Sequence, residues 1–159
     1  MTLNNDPTLT DSGIKNATFG PGVKIVKPVN LYGCVIGADS FIGPFTEIQK
    51  NVEIGNRCRI QSHAFICELV KIGDDCFIGH GVVFINDLFD GGGPARGDRN
   101  KWKSTLVGDH VSIGSNATIL PVTIADRVVI GAGSVVTKNI LKSGIYAGNP
   151  ARLIRKFPE

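Results

Sequence analysis

The 159-residue chain has 42% apolar residues, a mean hydropathy of +0.11 and a formal net charge of +3. This length suits one domain, and the composition excludes a disordered chain. The small net charge does not favour bulk binding to nucleic acid, so no nucleic-acid partner is expected. No apolar stretch is long enough to cross a bilayer, and no membrane insertion is expected.

The N-terminal residues, from 1 to about 18, carry no repeat and are expected to form a lead-in segment or a cap. Met1 to Asp6 contain no basic region followed by an apolar run, so no secretory signal peptide is expected. The four cysteines form no C-x-x-C pair. Cys58 and Cys76 stand 18 residues apart and are expected to be reduced and buried, although this spacing also permits a disulfide. These features favour a cytoplasmic protein.

A strict six-residue period organises the middle of the chain. Each period contains a large apolar residue, a small or slender residue four positions later, and polar residues, glycine or proline between them. Asn, Asp and Gly tolerate the positive φ that tight corners demand. A period of six fits neither an α-helix nor a plain alternating strand. The large residues are Ile36, Ile42, Ile48, Ile54, Ile60, Ile66, Ile72, Ile78 and Phe84.

Each hexad is best interpreted as a short strand followed by a corner. If three hexads close one triangular coil, residues 18 apart stack at the strand spacing of about 4.8 Å. Repeats of this length are typical of β-helix solenoids, whereas a sandwich of short strands would not keep one period over nine units. The predicted ladders are Ile36, Ile54 and Ile72; Ile42, Ile60 and Ile78; and Ile48, Ile66 and Phe84.

The period breaks between residues 86 and 105, a segment with three successive glycines, four basic side chains and the only tryptophan. An insertion can leave a solenoid only as a loop at a corner. Long loops in compact domains are usually functional or disordered, and we favour a functional loop because it interrupts a strict scaffold. The period resumes at Val107 and continues to Val136.

The C-terminal residues 149–158 are expected to cap the open end of the prism. Asn149 and Pro150 suit the N-cap and first position of a short helix, which would pack through Leu153, Ile154 and Phe157. The chain is thus predicted to be one all-β domain over 1–159: a parallel β-helix of hexapeptide repeats with one protruding loop and a short C-terminal helix.

Three further stretches carry a resemblance to a known family: Ile-Gly-His-Gly-Val-Val-Phe-Ile-Asn-Asp (78–87), Ile-Gly-Ala-Gly-Ser-Val-Val-Thr-Lys (130–138) and Ala-Gly-Asn-Pro-Ala-Arg (147–152). Together with the repeat, from about residue 19 onward, they resemble the hexapeptide-repeat acyltransferases. The resemblance implies a left-handed parallel β-helix. It also implies a homotrimer that binds acetyl-CoA, its acyl donor, in a groove between neighbouring prisms.

Within that superfamily, the chain is most similar to the nucleotide-sugar N-acetyltransferases. These include enzymes acting on UDP-2-acetamido-3-amino-2,3-dideoxy-glucuronate and on dTDP-3-amino-3,6-dideoxyhexoses. The resemblance implies acetyl transfer from coenzyme A to the amine of a nucleotide-linked amino sugar, in the biosynthesis of cell-surface polysaccharides such as lipopolysaccharide. The family often has an aromatic-Pro-Arg sequence after the Asn-Asp pair, and this chain instead has Leu88-Phe89-Asp90. The resemblance therefore does not identify the sugar group that the loop contacts.

His63, His80 and Asn86 are the candidate catalytic residues. On the 18-residue stack, position 80 lies above position 62, so both imidazoles project from one corner near the origin of the loop. We hypothesise that His63 is the general base and that His80 lines the site or shares the proton relay. The resemblance implies that Asn86 handles the amino sugar, and we hypothesise that Asp87 helps to orient it. The alternative is that both histidines simply occupy polar corners.

Substrate and coenzyme contacts are expected on the loop and on the last coils. The loop cations, Arg96 among them, suit a nucleotide diphosphate or a sugar carboxylate, and Trp102 suits stacking on a base or pinning the loop. Small residues would leave a low wall for the pantetheine arm, and nearby cations would bind the phosphates unless they are only solvated surface charges. The candidate coenzyme contacts are Gly114, Ala132, Gly133, Lys138 and Arg152.

Three other functions fit the same fold less well. A zinc carbonic anhydrase needs three converging histidines, and His63, His80 and His110 are 17 and 30 residues apart, so no metal is expected. A sugar O-acetyltransferase is an alternative, but such relatives carry a histidine just after the Asn-containing segment and a helical N-terminal domain. A non-catalytic binding or structural β-helix would not require both the loop and the basic C-terminus.

Overall fold

The computed structural model describes residues 8–157. In it, each hexad folds into a strand of two or three residues followed by a corner. Over this range the one helical turn is the 3-10 helix Arg99–Lys101, and no helix is long and apolar enough to cross a membrane. The strands are β1 (Ile14–Lys15), β2 (Thr18–Phe19), β3 (Lys24–Ile25), β4 (Asn30–Tyr32), β5 (Val35–Ile36), β6 (Phe41–Ile42), β7 (Glu47–Ile48), β8 (Glu53–Ile54), β9 (Arg59–Ile60), β10 (Phe65–Ile66), β11 (Val70–Ile72), β12 (Phe77–Ile78), β13 (Val83–Phe84), β14 (Thr105–Val107), β15 (Ser112–Ile113), β16 (Thr118–Ile119), β17 (Thr123–Ile124), β18 (Val128–Ile130), β19 (Val135–Val136), β20 (Gly144–Ala147) and β21 (Arg152–Arg155).

The strands form the three faces of a triangular column. Face A has the order β1-β4-β7-β10-β13-β16-β19, face B the order β17-β14-β11-β8-β5-β2, and face C the order β21-β20-β18-β15-β12-β9-β6-β3. The chain passes from A to B to C, so we call the three edges the AB, BC and CA corners. This all-β stacked-coil solenoid, almost without helix, agrees with the predicted β-helix.

The three predicted ladders are confirmed by the strand register. Ile54 pairs with Ile36 and Ile72 on face B. Ile60 pairs with Ile42 and Ile78 on face C, and Ile48 with Ile66 on face A. The fully buried large side chains therefore fill the axis of the column: Leu31, Ile36, Ile42, Ile48, Ile60, Ile66, Ile78, Phe84, Ile113, Ile119, Ile124 and Ile130.

The column begins one strand earlier than the sequence predicted. Thr18–Phe19 pairs with β5 close to the predicted start at about residue 19, and Ile14 in β1 already pairs with Leu31 on face A. The expected lead-in segment is therefore wrong for Ile14 and Lys15, because the backbone pairs there although the apolar period is weak. Residues 1–7 of that segment lie outside the described part of the chain.

The predicted C-terminal helix is wrong. Residues 152–155 form β21, which pairs antiparallel with β20. An edge strand leaves a row of unpaired N–H and C=O groups, and β21 pairs with those of β20. A short isolated helix is only marginally stable in water and would leave that edge unpaired. Leu153 and Ile154 are 45% and 65% exposed, so they do not pack on the end of the prism as predicted. Position 158 of the expected cap lies outside the described residues.

All four cysteines are free and buried, as the sequence predicted for two of them. Cys58 and Cys76 occupy the same position on successive coils at the BC corner. Their thiols donate to the carbonyl oxygens of Gly73 and Gly108, each at 3.1 Å. The buried sulfur atoms are therefore satisfied by the neighbouring coil.

Candidate active site

The loop leaves the column at the AB corner. It spans residues 85–104, and the Lys103 N–H closes its base by donating to the Asn86 carbonyl oxygen at 2.9 Å. Loop residues and face A together line a half-open cavity of about 380 Å³, which we call the AB cavity. Its polar lining is Tyr32, Gln49, Glu68, Asn86 and Asp87; its apolar and aromatic lining is Phe65, Cys67, Ile85, Phe89 and Trp102.

Glu68 is the central buried polar residue of the AB cavity, with 7% of its surface exposed. Lys50 Nζ and Arg99 Nη2 lie 3.6 Å and 3.5 Å from its Oε1. The backbone of Glu68 is held on both sides: its N–H donates to Gln49 Oε1, and its carbonyl oxygen accepts from Asn86 Nδ2, each at 3.2 Å. Burial raises the pKa of the Glu68 carboxyl. The structure therefore fixes a desolvated carboxylate in the wall of the cavity.

Glu47 organises the neighbouring wall on face A. Its carboxylate accepts hydrogen bonds from the Tyr32 hydroxyl at 3.3 Å, from Gln49 Nε2 at 3.1 Å and from Asn30 Nδ2 at 3.2 Å. Burial, followed by the charge of Glu47, raises the pKa of Tyr32. The donors of Tyr32 and Gln49 are thus already directed at Glu47.

Asp87 lies at the start of the loop and is predicted to bind substrate. One carboxylate oxygen accepts from the Phe89 N–H at 2.9 Å and the other from the Ala95 N–H at 2.7 Å. The Ala95 amide, and then the Phe89 amide, lower the pKa of Asp87. These contacts give the carboxylate a role in ordering the loop.

Most of the basic loop side chains meet acidic partners. Arg99 contacts Glu68, Lys101 lies 3.9 Å from Asp98, and Lys103 bonds to Asp90. Arg96 is exposed and does not line the AB cavity, whereas Trp102 does. Of the four predicted loop cations, Arg96 is the one without a charged partner in residues 8–157.

The two predicted histidines lie together at the CA corner, so their expected position near the origin of the loop, which leaves at the AB corner, is wrong. As predicted, His80 stacks above position 62, and its Nδ1 is 2.8 Å from Ser62 Oγ. His63 has φ +62 and stacks on the Phe45 ring at 4.8 Å. Neither histidine is among the described residues that line the AB cavity, because the strands of face A separate the two corners.

The small residues predicted to contact the coenzyme continue the CA corner beyond His80. The Asn116 N–H donates to the His80 carbonyl oxygen, and the Gly133 N–H to the Ser115 carbonyl oxygen, so these coils follow one another. We call Gly114, Ser115, Ala132 and Gly133 the CA strip. A Cβ on Gly114 would lie 2.5 Å from the Ala132 nitrogen, so only glycine permits this close approach.

The two predicted phosphate-binding cations lie on different corners. Arg152 pairs with Ala147 in the hairpin that extends face C, next to the end of the CA strip. Lys138 is exposed where face A passes to face B, at the AB corner. A single chain therefore does not bring Lys138 to the CA strip.

His110, the third histidine, lies at the BC corner, with its Nδ1 3.9 Å from Asp75 Oδ2. The three histidines thus occupy two different corners. No group of three His, Cys, Asp or Glu side chains between residues 8 and 157 is placed to hold one metal ion.

Tyr32 and Glu68 line the AB cavity and were not predicted from the sequence, although a signal for both was present. Tyr32, Lys50, Glu68 and Asn86 follow one another at intervals of 18 residues. The same spacing that placed position 62 beneath His80 therefore places Glu68 beneath Asn86. The 18-residue spacing from Asn86 is therefore the sequence signal for Glu68.

Comparison with known proteins identifies the repeat. Residues 33–68 match the family described as bacterial transferase hexapeptide (six repeats). Residues 69–85 and 105–138 match the family described as hexapeptide repeat of succinyl-transferase. The two matches together cover more than half of the chain, and the gap between 85 and 105 is the loop.

Curated relatives extend the likeness over most of the chain. The bifunctional protein GlmU of Streptococcus uberis is 30% identical over 158 residues, covering 97% of this chain and 34% of that protein. GlmU of Marinobacter nauticus is 34% identical over 146 residues, covering 81% of this chain and 30% of that protein. The chain spans about a third of the length of these curated relatives.

Solved structures share the column. A mutant of AntD, an N-acyltransferase from Bacillus cereus in complex with dTDP and coenzyme A, is 26% identical with a TM-score of 0.78, covering 91% of this chain and 85% of that one. A hexapeptide-repeat acetyltransferase from Vibrio cholerae, complexed with acetyl coenzyme A, is 28% identical with a TM-score of 0.66, covering 80% and 72%. The chain belongs to the hexapeptide-repeat acyltransferase family.

Proposed function

We propose that the chain transfers an acetyl group from acetyl-CoA to the amine of a nucleotide-linked amino sugar. The observation that carries the proposal is the pair of features on neighbouring corners: a low strip ending at His80, and a cavity whose wall holds Glu68 and Asn86. The likeness to AntD, an N-acyltransferase bound to dTDP and coenzyme A, supports this choice of donor and acceptor.

The CA strip suits the pantetheine arm of the coenzyme. From His80 to Gly148 the corner rises by three coils, or about 14 Å at the usual strand spacing. Ala132 and Gly133 are exposed and present little side chain, so an extended chain can lie against the backbone there. Arg152, beyond the end of the strip, is the proposed phosphate contact.

The AB cavity suits the acceptor. Phe65 and Trp102 provide flat apolar surfaces for a sugar ring or a base. Glu68 and Asn86 provide oxygen atoms that can accept hydrogen bonds from an amine. Asp87 orders the loop that covers the cavity. Arg96, outside the cavity, is the proposed contact of the nucleotide diphosphate.

A homotrimer would join the two features. In a closed three-fold ring, each chain offers the same two unlike surfaces to its neighbours. We place the AB corner of one prism against the CA corner of the next, which brings the cavity to the thioester end of the strip. Lys138, on the AB corner, would then reach the coenzyme held by the neighbouring chain. Each active site is thus built from two chains.

His80 is the proposed base. Its Nδ1 is engaged by Ser62, so Nε2 is the nitrogen proposed to receive the proton. The amine nitrogen attacks the thioester carbonyl carbon, an N–C bond forms and the C–S bond breaks. The proton lost by the amine passes to His80 and then to the departing sulfur. A sugar amine titrates at roughly pH 8, so a neutral fraction is present at physiological pH. His63 suits this role less because its ring stacks on Phe45.

The proposal sets the reaction in the cytoplasm, where acetyl-CoA and nucleotide sugars are made, in the synthesis of a cell-surface polysaccharide such as lipopolysaccharide. The test is thiol release from acetyl-CoA with acceptor pairs that differ only in whether one carbon carries an amino group or a hydroxyl, such as dTDP-3-amino-3,6-dideoxyglucose and dTDP-6-deoxyglucose. UDP-linked pairs and an unlinked amino sugar complete the panel. We expect release with a nucleotide-linked amine only. Release with hydroxyl acceptors alone, or with none, contradicts the proposal.

A further inference from the structure

Glu68 has a carboxylate oxygen that the chain itself does not use. Both cations approach Oε1, at 3.5 and 3.6 Å, and no group within residues 8–157 donates to Oε2. In that part of the chain, every fully buried side-chain nitrogen or oxygen atom has a hydrogen-bond partner. An Oε2 without a donor among these residues therefore keeps some exposure, and since Glu68 lines the AB cavity we infer that a ligand reaches it from there.

Asn86 supplies a second open acceptor beside it. Its Nδ2 donates to the Glu68 carbonyl oxygen at 3.2 Å, which turns its Oδ1 away from that contact. No donor to this Oδ1 is found among the described residues. Since position 86 stacks directly above position 68, the two open oxygen atoms belong to adjacent coils of one corner.

The nearby donors are already occupied. The Tyr32 hydroxyl and Gln49 Nε2 both donate to Glu47, and the Gln49 oxygen accepts from the backbone of Glu68. This part of the cavity therefore offers acceptors to a ligand. A group with several N–H donors and a positive charge matches it best, because charge-assisted hydrogen bonds to a carboxylate are about twice as strong as neutral ones.

We propose that Glu68 is the specificity-determining residue for the acceptor, and that its Oε2 binds the sugar amine as an ammonium, with Asn86 as the second acceptor. This inference rests on the proposed function and deepens it. A hydroxyl offers one neutral donor to the same oxygen atoms, so it gains less from the site. The amine is bound charged and releases one proton to water before its neutral form attacks the thioester; the second proton, lost from the same nitrogen after the attack, passes to His80 and then to the departing sulfur.

The burial of Glu68 increases the difference in affinity between the amino sugar and its hydroxyl counterpart. Its side chain is 9% exposed. Lys50 Nζ lies beyond hydrogen-bond distance of its carboxylate, and Arg99 Nη2 lies at the limit of that distance. A desolvated carboxylate with loose partners gains more from a new cation than an exposed one does. Burial also raises the pKa of Glu68, in keeping with an incompletely satisfied charge.

Calorimetric binding of the matched sugars tests the inference without any acetyl-CoA. The probes are dTDP-3-amino-3,6-dideoxyglucose against dTDP-6-deoxyglucose, and the corresponding UDP-linked pair. For the wild type we expect the amine to bind at least about 10-fold more tightly than its hydroxyl partner. Glu68→Gln should weaken amine binding by about 10- to 100-fold and change hydroxyl binding by less than about 3-fold. Equal binding of both sugars by the wild type, or binding of neither, overturns the inference.

Two controls separate this role from a structural one. Glu53→Gln removes an exposed carboxylate on face B, paired with Lys71 at 2.8 Å, and should leave both affinities unchanged. Arg99→Met removes the loop partner of Glu68 and leaves its carboxylate in place. If Arg99→Met reproduces the selective loss seen with Glu68→Gln, then Glu68 acts only through the loop and the inference is wrong. The melting temperature of Glu68→Gln confirms that the variant is folded.

The inference and the proposed function fail in different ways. Selective amine binding without thiol release would remove acyl transfer and leave the role of Glu68 intact. If an amine supports thiol release and Glu68→Gln binds it as tightly as the wild type does, then acyl transfer stands and the role of Glu68 is wrong.

Discussion

Ser62 Oγ lies 2.8 Å from His80 Nδ1, on the coil directly beneath it. The backbone strengthens this relationship, because the Gly81 N–H donates to the Ser62 carbonyl oxygen at 3.0 Å. The Nδ1 side of the imidazole is thereby fixed at the start of the CA strip, and Nε2 takes no part in this contact. His63, one residue after Ser62, is instead held by Phe45.

His80→Ala should lower kcat by about 100- to 10,000-fold, because a general base contributes on that scale. Ser62→Ala should lower kcat by about 10-fold and leave KM for acetyl-CoA unchanged, since it only orients the ring. His63→Ala is the matched control and should stay within about 3-fold of the wild type. Steady-state kinetics between pH 6 and 9 decide the matter, and a large loss in His63→Ala alone would return the base role to His63.

The CA strip can be blocked without disturbing the core. Ala132 is exposed, so Ala132→Trp should fold normally and place an indole where the pantetheine arm is proposed to lie. We expect the affinity for coenzyme A, measured by calorimetry, to fall by at least about 100-fold. Arg127→Trp adds the same ring at the exposed BC corner and should have no effect. Unchanged coenzyme binding in Ala132→Trp would show that the coenzyme lies elsewhere.

Asp87 should control the order of the loop. Asp87→Asn retains one acceptor and loses the charge, so we expect trypsin to cleave after Arg96 and Arg99 about 5-fold faster at pH 8. Asp90→Asn, which breaks only an exposed pair with Lys103, is the control. Equal cleavage rates in both variants would mean that Asp87 does not anchor the loop.

The pH dependence of the same contact has a definite sign. The amides of Ala95 and Phe89 lower the pKa of Asp87, so its contribution to loop order is present above the ordinary pKa of Asp and is lost as the pH falls through the lowered value. Trp102, the only tryptophan of the chain, lines the cavity and reports on the loop by fluorescence. We expect an acid transition in its emission that Asp87→Asn lacks; an identical transition in both proteins would contradict this assignment.

The repeat made the column predictable, because a period of six leaves one register in which every large side chain points inward. Ile54 therefore lies between Ile36 and Ile72, as the sequence predicted. The C-terminal hairpin was not predictable in this way. Asn149-Pro150 carries a local helix signal, but the open edge of β20 is a tertiary feature that local sequence does not contain.

The candidate site was predictable only where its residues belong to the repeat. Stacking correctly brought His80 above Ser62. It could not reveal that Asp87 turns both oxygens to loop amides, because the path of an insertion outside the repeat has no period.

The central claim is that one active site is divided between the CA corner of one chain and the AB cavity of the next. Mixing His80→Ala with Asn86→Ala tests it, because each variant retains the half that the other lacks. After unfolding and refolding together in equal amounts, about a quarter of the sites in a three-fold ring should contain both intact halves.

We therefore expect thiol release to return to about a quarter of the wild-type rate, with each variant nearly inactive alone. A mixture that stays as inactive as its two components, although it forms mixed oligomers, would show that the strip and the cavity of a single chain work together and would contradict this account.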